Sequence, residues 1–431
     1  MEIINIFYLF FVFIIFFSIN LPFSALRLDN NFTYIDQLTF NIIIQINLIL
    51  FLSLLNLPLE KILYVYFCYL TVCFIFHCKN FNKIKFTKMN HNYFYFFILV
   101  IFFLISIDIS YSLTLDWDAQ KFWFFKVLNF YNNETIDNLV NVPNPQYPFL
   151  GSLLWGLFWK ISFYPEEYTG RLFYAFMYCI SIANLTEILK LSKNIKMIFY
   201  IILIMLSYKY ILFSGGQDLL IFCLISITAK TFYEIIDKKK KISIYQFLLL
   251  LLICNSLIWT KQEGVIYAFI ITFILLFFSK INLTKSILLL GFVAFFFIVR
   301  ILVYNFYNLE ININSSGWNN FSFISMVEKF SIDRIVTIIS FFIFSFLKNS
   351  FFLLGLFFLI ASLLYRKNIN NNLYIYFFYT LSYGFIFFAY ILSDLELIWM
   401  LKTGLDRLIF SASPLYILIV VKYINAHNLK I

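Results

Sequence analysis

The chain has 431 residues, 62% of them hydrophobic and only 13% charged, with a net charge of +10 and a mean hydropathy of +0.87. Soluble domains are roughly 45–50% apolar and about 25% charged, so this composition excludes an ordinary soluble enzyme and indicates an all-α polytopic membrane protein. The cations do not point to nucleic acid, because they sit in short polar breaks such as the four lysines at 238–241, the pattern of cytoplasmic loops.

In chain order, the first apolar run (residues 3–23) lacks a basic leader and a small-residue cleavage site, so it reads as a span and not a signal peptide. Further spans are expected at 38–57, 62–76, 93–110, 169–189, 197–213, 219–236, 244–259, 265–278, 286–304, 351–365, 374–392 and 408–421, lengths suited to helices crossing a bilayer. The expectation is a bundle of roughly 11–13 such helices, with 1–92 as an N-terminal group and 93–431 as the core. Two shorter runs, 148–163 and 335–347, are flanked by charge and are expected to lie in the interface within external loops.

With those two runs not crossing, the basic breaks at 79–88, 190–196, 238–241, 280–285, 366–367 and from Lys422 all fall on the cytoplasmic side. Most carboxylates then collect externally, while His77, His91 and His427 do not. An external site on this chain works with carboxylates, lysines and arginines. The six cysteines show no disulfide spacing, and the cluster Cys68, Cys73, Cys78 beside His77 reads as small apolar residues of a span, not as a metal site.

The external loop 111–147 opens with "DWDAQKFWFFK". Asp116 and Asp118 diverge on a helix but can face one cavity from a turn. In the helix expected next, Trp123, Phe124, Val127, Leu128 and Phe130 share one face, and Lys121, Lys126 and Asn129 the other with Phe122 and Phe125 among them, an imperfectly amphipathic pattern that suits a membrane surface. Either the acids are solvated, or one is a general base where a lipid head group arrives. Pro143, Pro145 and Pro148 then break the helix. Asp218 in "SGGQDLL" starts a span, as a dipole cap or a site acid. Lys261 and Glu263 in "WTKQEGV" are a charged hairpin tip or ligands. Asp406 and Arg407 start the last span, and arginine at a membrane mouth is an anchor or a phosphate ligand.

In order along the chain, "WDAQKFWFFKV", "QYPFLGSLLW", "GGQDLLIF", "WTKQEGVIYAF" and "LDRLIFSASPL" resemble the membrane-embedded GT-C glycosyltransferases of bacteria, the group of lipopolysaccharide galacturonosyltransferases, protein O-mannosyltransferases and aminoarabinose transferases. The resemblance covers residues 93–421 and rests on order and topology. It implies a GT-C-like bundle, here with no soluble C-terminal domain expected. It places the catalytic acid of the first external loop on Asp118 with Asp116 beside it, and the family's proline-containing segment on Tyr147 and Pro148, with Phe149 where a second proline is common.

The resulting expectation is a glycosyltransferase of the bacterial inner membrane with a periplasm-facing site. It moves a sugar from a polyprenyl-phosphate donor to a glycolipid or cell-envelope glycan such as lipopolysaccharide, in contact with membrane lipid and no nucleic acid. Asp118 is the first choice of base and Asp116 the second. Lys261, Arg407 and Lys126 are assigned to the donor phosphate, and Glu263, Asp218 and Tyr147 to sugar or acceptor positioning. No metal ligands are assigned and no cofactor is required, with a divalent metal left open. The alternatives are a flippase or transporter of lipid-linked glycans, which favours charges inside spans, and an O-antigen polymerase or ligase, which favours external histidine.

Overall fold

The computed structural model describes residues 2–18, 33–79, 92–279, 282–309, 329–364, 372–393 and 395–427. The described residues are helical apart from their connections. His91, Lys280, Glu310, Arg366, Lys367 and Asp394, with residues 80–88 of the basic run at 79–88, lie outside them.

The first four helices are α1 (Glu2–Ser18), α2 (Tyr34–Leu54), α3 (Leu59–Lys79) and α4 (Asn92–Ser112). A capping box in which Thr33 and Asp36 exchange hydrogen bonds starts α2. The loop after α4 holds a π-turn (Ala119–Trp123) continuous with α5 (Phe124–Tyr131). The centre consists of α6 (Leu150–Ile161), α7 (Tyr168–Glu187) and α9 (Asp218–Phe232), with α8 (Lys193–Ser207) between the last two in sequence. Residues 168–186 of α7 and all of α9 are buried, so these helices meet protein on every side.

Next come α10 (Ile244–Thr260), α11 (Gln262–Phe278) and α12 (Leu283–Phe306), followed by α13 (Ile332–Lys348), α14 (Ser350–Leu364) and α15 (Leu373–Leu392). The chain ends in α16 (Leu397–Met400), α17 (Asp406–Ala412) and α18 (Tyr416–His427), joined by a π-turn and a 3-10 turn. Exposed Phe295, Ile298, Ile301 and Leu302 on α12 and Phe357, Ile360, Leu363 and Leu364 on α14 present apolar surface at the periphery, as lipid contact requires.

Among the described residues, seven helices are long and apolar enough to cross a membrane, or eight if a bent pair is one span. This is fewer than the 11–13 expected: α1, α10 and α11 have 17 residues each and α8 has 15. At 1.5 Å per residue a 15-residue helix covers only about 22 Å of a roughly 30 Å core. Two other expectations are corrected. The run 148–163 does not lie on the surface, since Leu150 through Phe158 are all buried within the protein. The last helical stretch long and apolar enough to cross runs from Leu397 to Ala426, 30 residues, so Asp406 and Arg407 sit within a continuous helical stretch and not at its start. The run 335–347 belongs to α13, which meets α14 at 83°.

The helix ends sort by charge. Asp218 begins α9, which runs into the lysines at 238–241, while α10 returns from Ile244 to Lys261. The acidic motifs and the basic loop thus sit at opposite ends of the bundle. Gly264 lets α10 and α11 meet closely at the turn, as a Cβ there would lie 1.9 Å from the Leu257 carbonyl oxygen. Gly264→Ala should therefore destabilise the protein by about 1–3 kcal/mol despite the better helix propensity of alanine. Gly291→Ala on α12, where a Cβ meets nothing within 4 Å, is the control and should lose no stability in a thermal unfolding scan.

Candidate active site

Five segments far apart in sequence meet at the acidic end. Arg407 donates from Nη1 to Asp116 Oδ2 at 2.6 Å and from Nη2 to Asp118 Oδ2 at 2.6 Å. Each carboxylate engages a separate arm of the guanidinium, so both acids face one centre, the turn-like alternative left open by their spacing. The geometry follows from the backbone: Asp116 N–H bonds the Ser214 carbonyl at 2.9 Å, and Asp116 O accepts from Gln120 N–H as the chain enters the π-turn.

Lys261, between α10 and α11, bonds Asp218 Oδ1 at 2.8 Å and lies 3.9 Å from Glu263. The Asp218 side chain is 3% exposed and that of Lys261 10%. Burial alone would discourage the ammonium, but Asp218 and then Glu263 outweigh it and hold Lys261 above the ordinary lysine value. Arg407 and Asp218 also act on one another electrostatically. The four ion pairs therefore form one cluster of four carboxylates and two cations. Among the described residues, no three side chains of the metal-ligating types converge on a common point; the carboxylates face cations instead.

Tyr147 stacks on Phe122 with ring centroids 5.3 Å apart and meets Trp123 edge-on at 5.7 Å. Burial pushes its phenol up, with Glu263 adding to the shift. Trp117 meets Trp399 at 5.6 Å and Phe122 at 5.5 Å. Both tryptophans are nearly half exposed, forming an aromatic mouth beside the two aspartates.

Lys126 is not placed for phosphate binding. It is fully buried, with its ammonium on the carbonyls of Tyr147 at 2.5 Å and Pro145 at 3.5 Å. Burial, with Arg300 nearby, pushes its pKa well down. It shapes the proline segment. Lys121 is exposed but Lys126 and Asn129 are buried together with Val127 and Phe130, so α5 is covered by protein on both faces and the expected polar face does not meet water.

Two arginines absent from the expected site hold its loops. Arg171, fully buried on α7, donates to the carbonyls of Phe213 at 3.2 Å and Thr114 at 3.4 Å and pairs with Glu167 at 2.9 Å. It thus ties the segment before Asp116 to the segment before Asp218. Arg300 on α12 donates to Ile258 O and Gln262 Oε1, both at 2.7 Å, and Gln262 reaches the Gln146 carbonyl at 3.2 Å. The turn carrying Lys261 and Glu263 is thereby joined to the proline segment. Gly215, at φ +94°, permits the close approach of the Asp218 loop, since a Cβ would fall 2.6 Å from the Trp155 ring.

A groove of about 420 Å³, with Asp406 in its wall, runs between α13 and residues 401–406. Phe341, Phe344 and Leu401 line it, with Lys348 and Lys402 among them. Lys348 lies 3.4 Å from Asp406, which also bonds the Ser345 hydroxyl. The sequence was compared with family models and curated proteins, and the fold with solved structures; no match was found in any of the three.

Proposed function

We propose that the protein transfers a sugar from a polyprenyl-phosphate donor to a glycolipid or cell-envelope glycan at the outer face of a bacterial cytoplasmic membrane. The observation that carries this reading is the convergence of Asp116, Asp118, Asp218, Lys261, Glu263 and Arg407 at one end of a membrane bundle. The groove walled by Asp406, the residue before Arg407, offers apolar walls for an isoprenoid chain and cations for its phosphate.

In the proposed reaction the acceptor hydroxyl oxygen attacks C1 of the donor sugar. The C1–O bond to phosphate breaks, and its electron pair leaves with polyprenyl phosphate. Asp118 takes the hydroxyl proton through its carboxylate, oriented by the bond from Arg407. Arg407 has N–H donors beyond those given to the aspartates, and these, with Lys348 and Lys402, meet the phosphate. Lys261 holds Asp218 and Glu263 towards the sugar, while Trp117 and Trp399 offer apolar ring faces to it.

Two measurements bear on this reading. Purified protein should be stabilised against heat by added polyprenyl phosphate, and Lys348→Ala/Lys402→Ala should lose that shift; an equal shift in the variant removes the groove from the donor site. An impermeant maleimide applied to intact cells should label Val140→Cys at once and Lys239→Cys only after permeabilisation. The reverse pattern would put the cluster on the cytoplasmic face.

A further inference from the structure

The end of the bundle opposite the acidic cluster carries a second polar cavity. Along α9 and its π-turn extension (Tyr233–Asp237), Asp218 in the first site and Glu234 in this cavity are 16 residues apart, or about 24 Å at 1.5 Å per residue. The cavity measures about 60 Å³, which is several times what one water needs and suits a tetrahedral oxyanion group. Lys230, Lys240 and Lys241 line it with Asp36, Glu234 and Ser243.

The lining carboxylates are engaged. Lys230 Nζ bonds Asp36 Oδ1 at 2.5 Å, and Glu234 accepts from Gln246 Nε2 at 2.9 Å. Lys240 and Lys241 are exposed at the rim. Their loop has a fixed backbone: Ile242 N–H donates to Asn282 Oδ1 at 2.7 Å, Asn282 Nδ2 donates to Lys240 O at 3.0 Å, and the Lys285 ammonium bonds Ile242 O. Lys239 closes the preceding helical segment at φ +49°, a conformation usually left to glycine or asparagine. The loop is held in shape while it crowds like charges. Burial lowers the Lys238 ammonium, and Lys240, Lys190 and Lys230 deepen the shift against the pull of Glu234.

Exposed apolar side chains adjoin this end: Ile244 at the start of α10, and Leu283 and Ile287 one turn apart on α12. A ligand held here therefore meets cations at its head and apolar helix surface below. At the ends of membrane-crossing helices, phosphodiester head groups supply that combination at high local concentration.

We infer that the cavity under residues 238–242 binds the phosphate head group of an anionic membrane phospholipid, with Lys240 and Lys241 as its rim ligands and the acyl chains along α10 and α12. This site is separate from the acidic cluster and takes a lipid that is not consumed.

The test uses the purified full chain, with phosphatidylglycerol as probe and phosphatidylcholine as the neutral comparison, read by native mass spectrometry and by lipid titration. The wild type should retain one phosphatidylglycerol, and Lys240→Ala/Lys241→Ala should bind it about 30-fold more weakly, at roughly a fivefold loss per lysine. Lys193→Ala/Lys239→Ala removes two exposed charges from the same end without touching the lining and should retain the lipid. Equal weakening in both double variants would reduce the effect to a diffuse positive field and overturn the site. Displacement of the lipid by millimolar inorganic phosphate would overturn the lipid assignment in favour of a free anion. Because the readout is binding, failure here leaves sugar transfer untouched, and loss of transfer leaves this result standing.

Discussion

Asp118→Asn should abolish sugar transfer in a protein that remains folded. Asparagine keeps the size and one acceptor oxygen, so Arg407 still finds a partner beside Asp116, but the amide takes no proton. A positioned general base contributes about 10²–10⁴-fold, and a loss of that size in purified protein is the expected result. Asp116→Asn should cost less, since the two carboxylates bond different arms of the guanidinium and only one need face the acceptor. The comparison requires equal folded fractions, checked by near-ultraviolet circular dichroism. Near-normal turnover in Asp118→Asn would make that residue an ordinary interfacial acid.

The largest expected loss of stability follows from Lys261→Met. The change strands Asp218, whose side chain is only 3% exposed, as a buried carboxylate without its ammonium. Removing one partner of a buried pair typically costs about 3–5 kcal/mol. Asp218→Asn in the same chain removes the stranded charge, so the double variant should recover most of the loss. Chemical unfolding of the single and double variants measures this coupling directly. Simple addition of two separate losses would mean that the pair does not hold α9 to the α10–α11 turn. A folded double variant also separates stability from transfer, because Lys261, read from the sequence as a phosphate ligand, is proposed here to hold Asp218 towards the sugar.

The class of fold was readable because bilayer-spanning helices need long apolar runs, and these dominate the composition. The grouping of Asp116, Asp118, Asp218, Lys261, Glu263 and Arg407 was also readable: each stands at a polar break, and helix ends on one side of a bundle are close in space. What those residues do to one another was not. Arg407 and Lys261 are paired with carboxylates, and no short-range pattern in the sequence encodes contacts 291 residues apart. Lys126 reads as a surface cation because its neighbours suggest an amphipathic helix; in the fold α5 is covered on both faces, with Lys126 and Asn129 buried alongside Val127 and Phe130. Arg171 carried a usable signal, an arginine within an apolar run, which in a membrane chain marks a buried partner. The aromatic pair Trp117 and Trp399 and the groove beside α13 depend wholly on tertiary contact.

The proposed chemistry is tested most directly by following a radiolabelled polyprenyl-phosphate sugar in proteoliposomes that contain only this protein and an acceptor glycolipid. Transfer predicts that label moves into the acceptor while polyprenyl phosphate appears in equal amount, and that Asp118→Asn stops both. Donor that crosses the bilayer with its sugar still attached, at the same rate in wild type and Asp118→Asn, would contradict glycosyl transfer and make the protein a carrier of lipid-linked sugars.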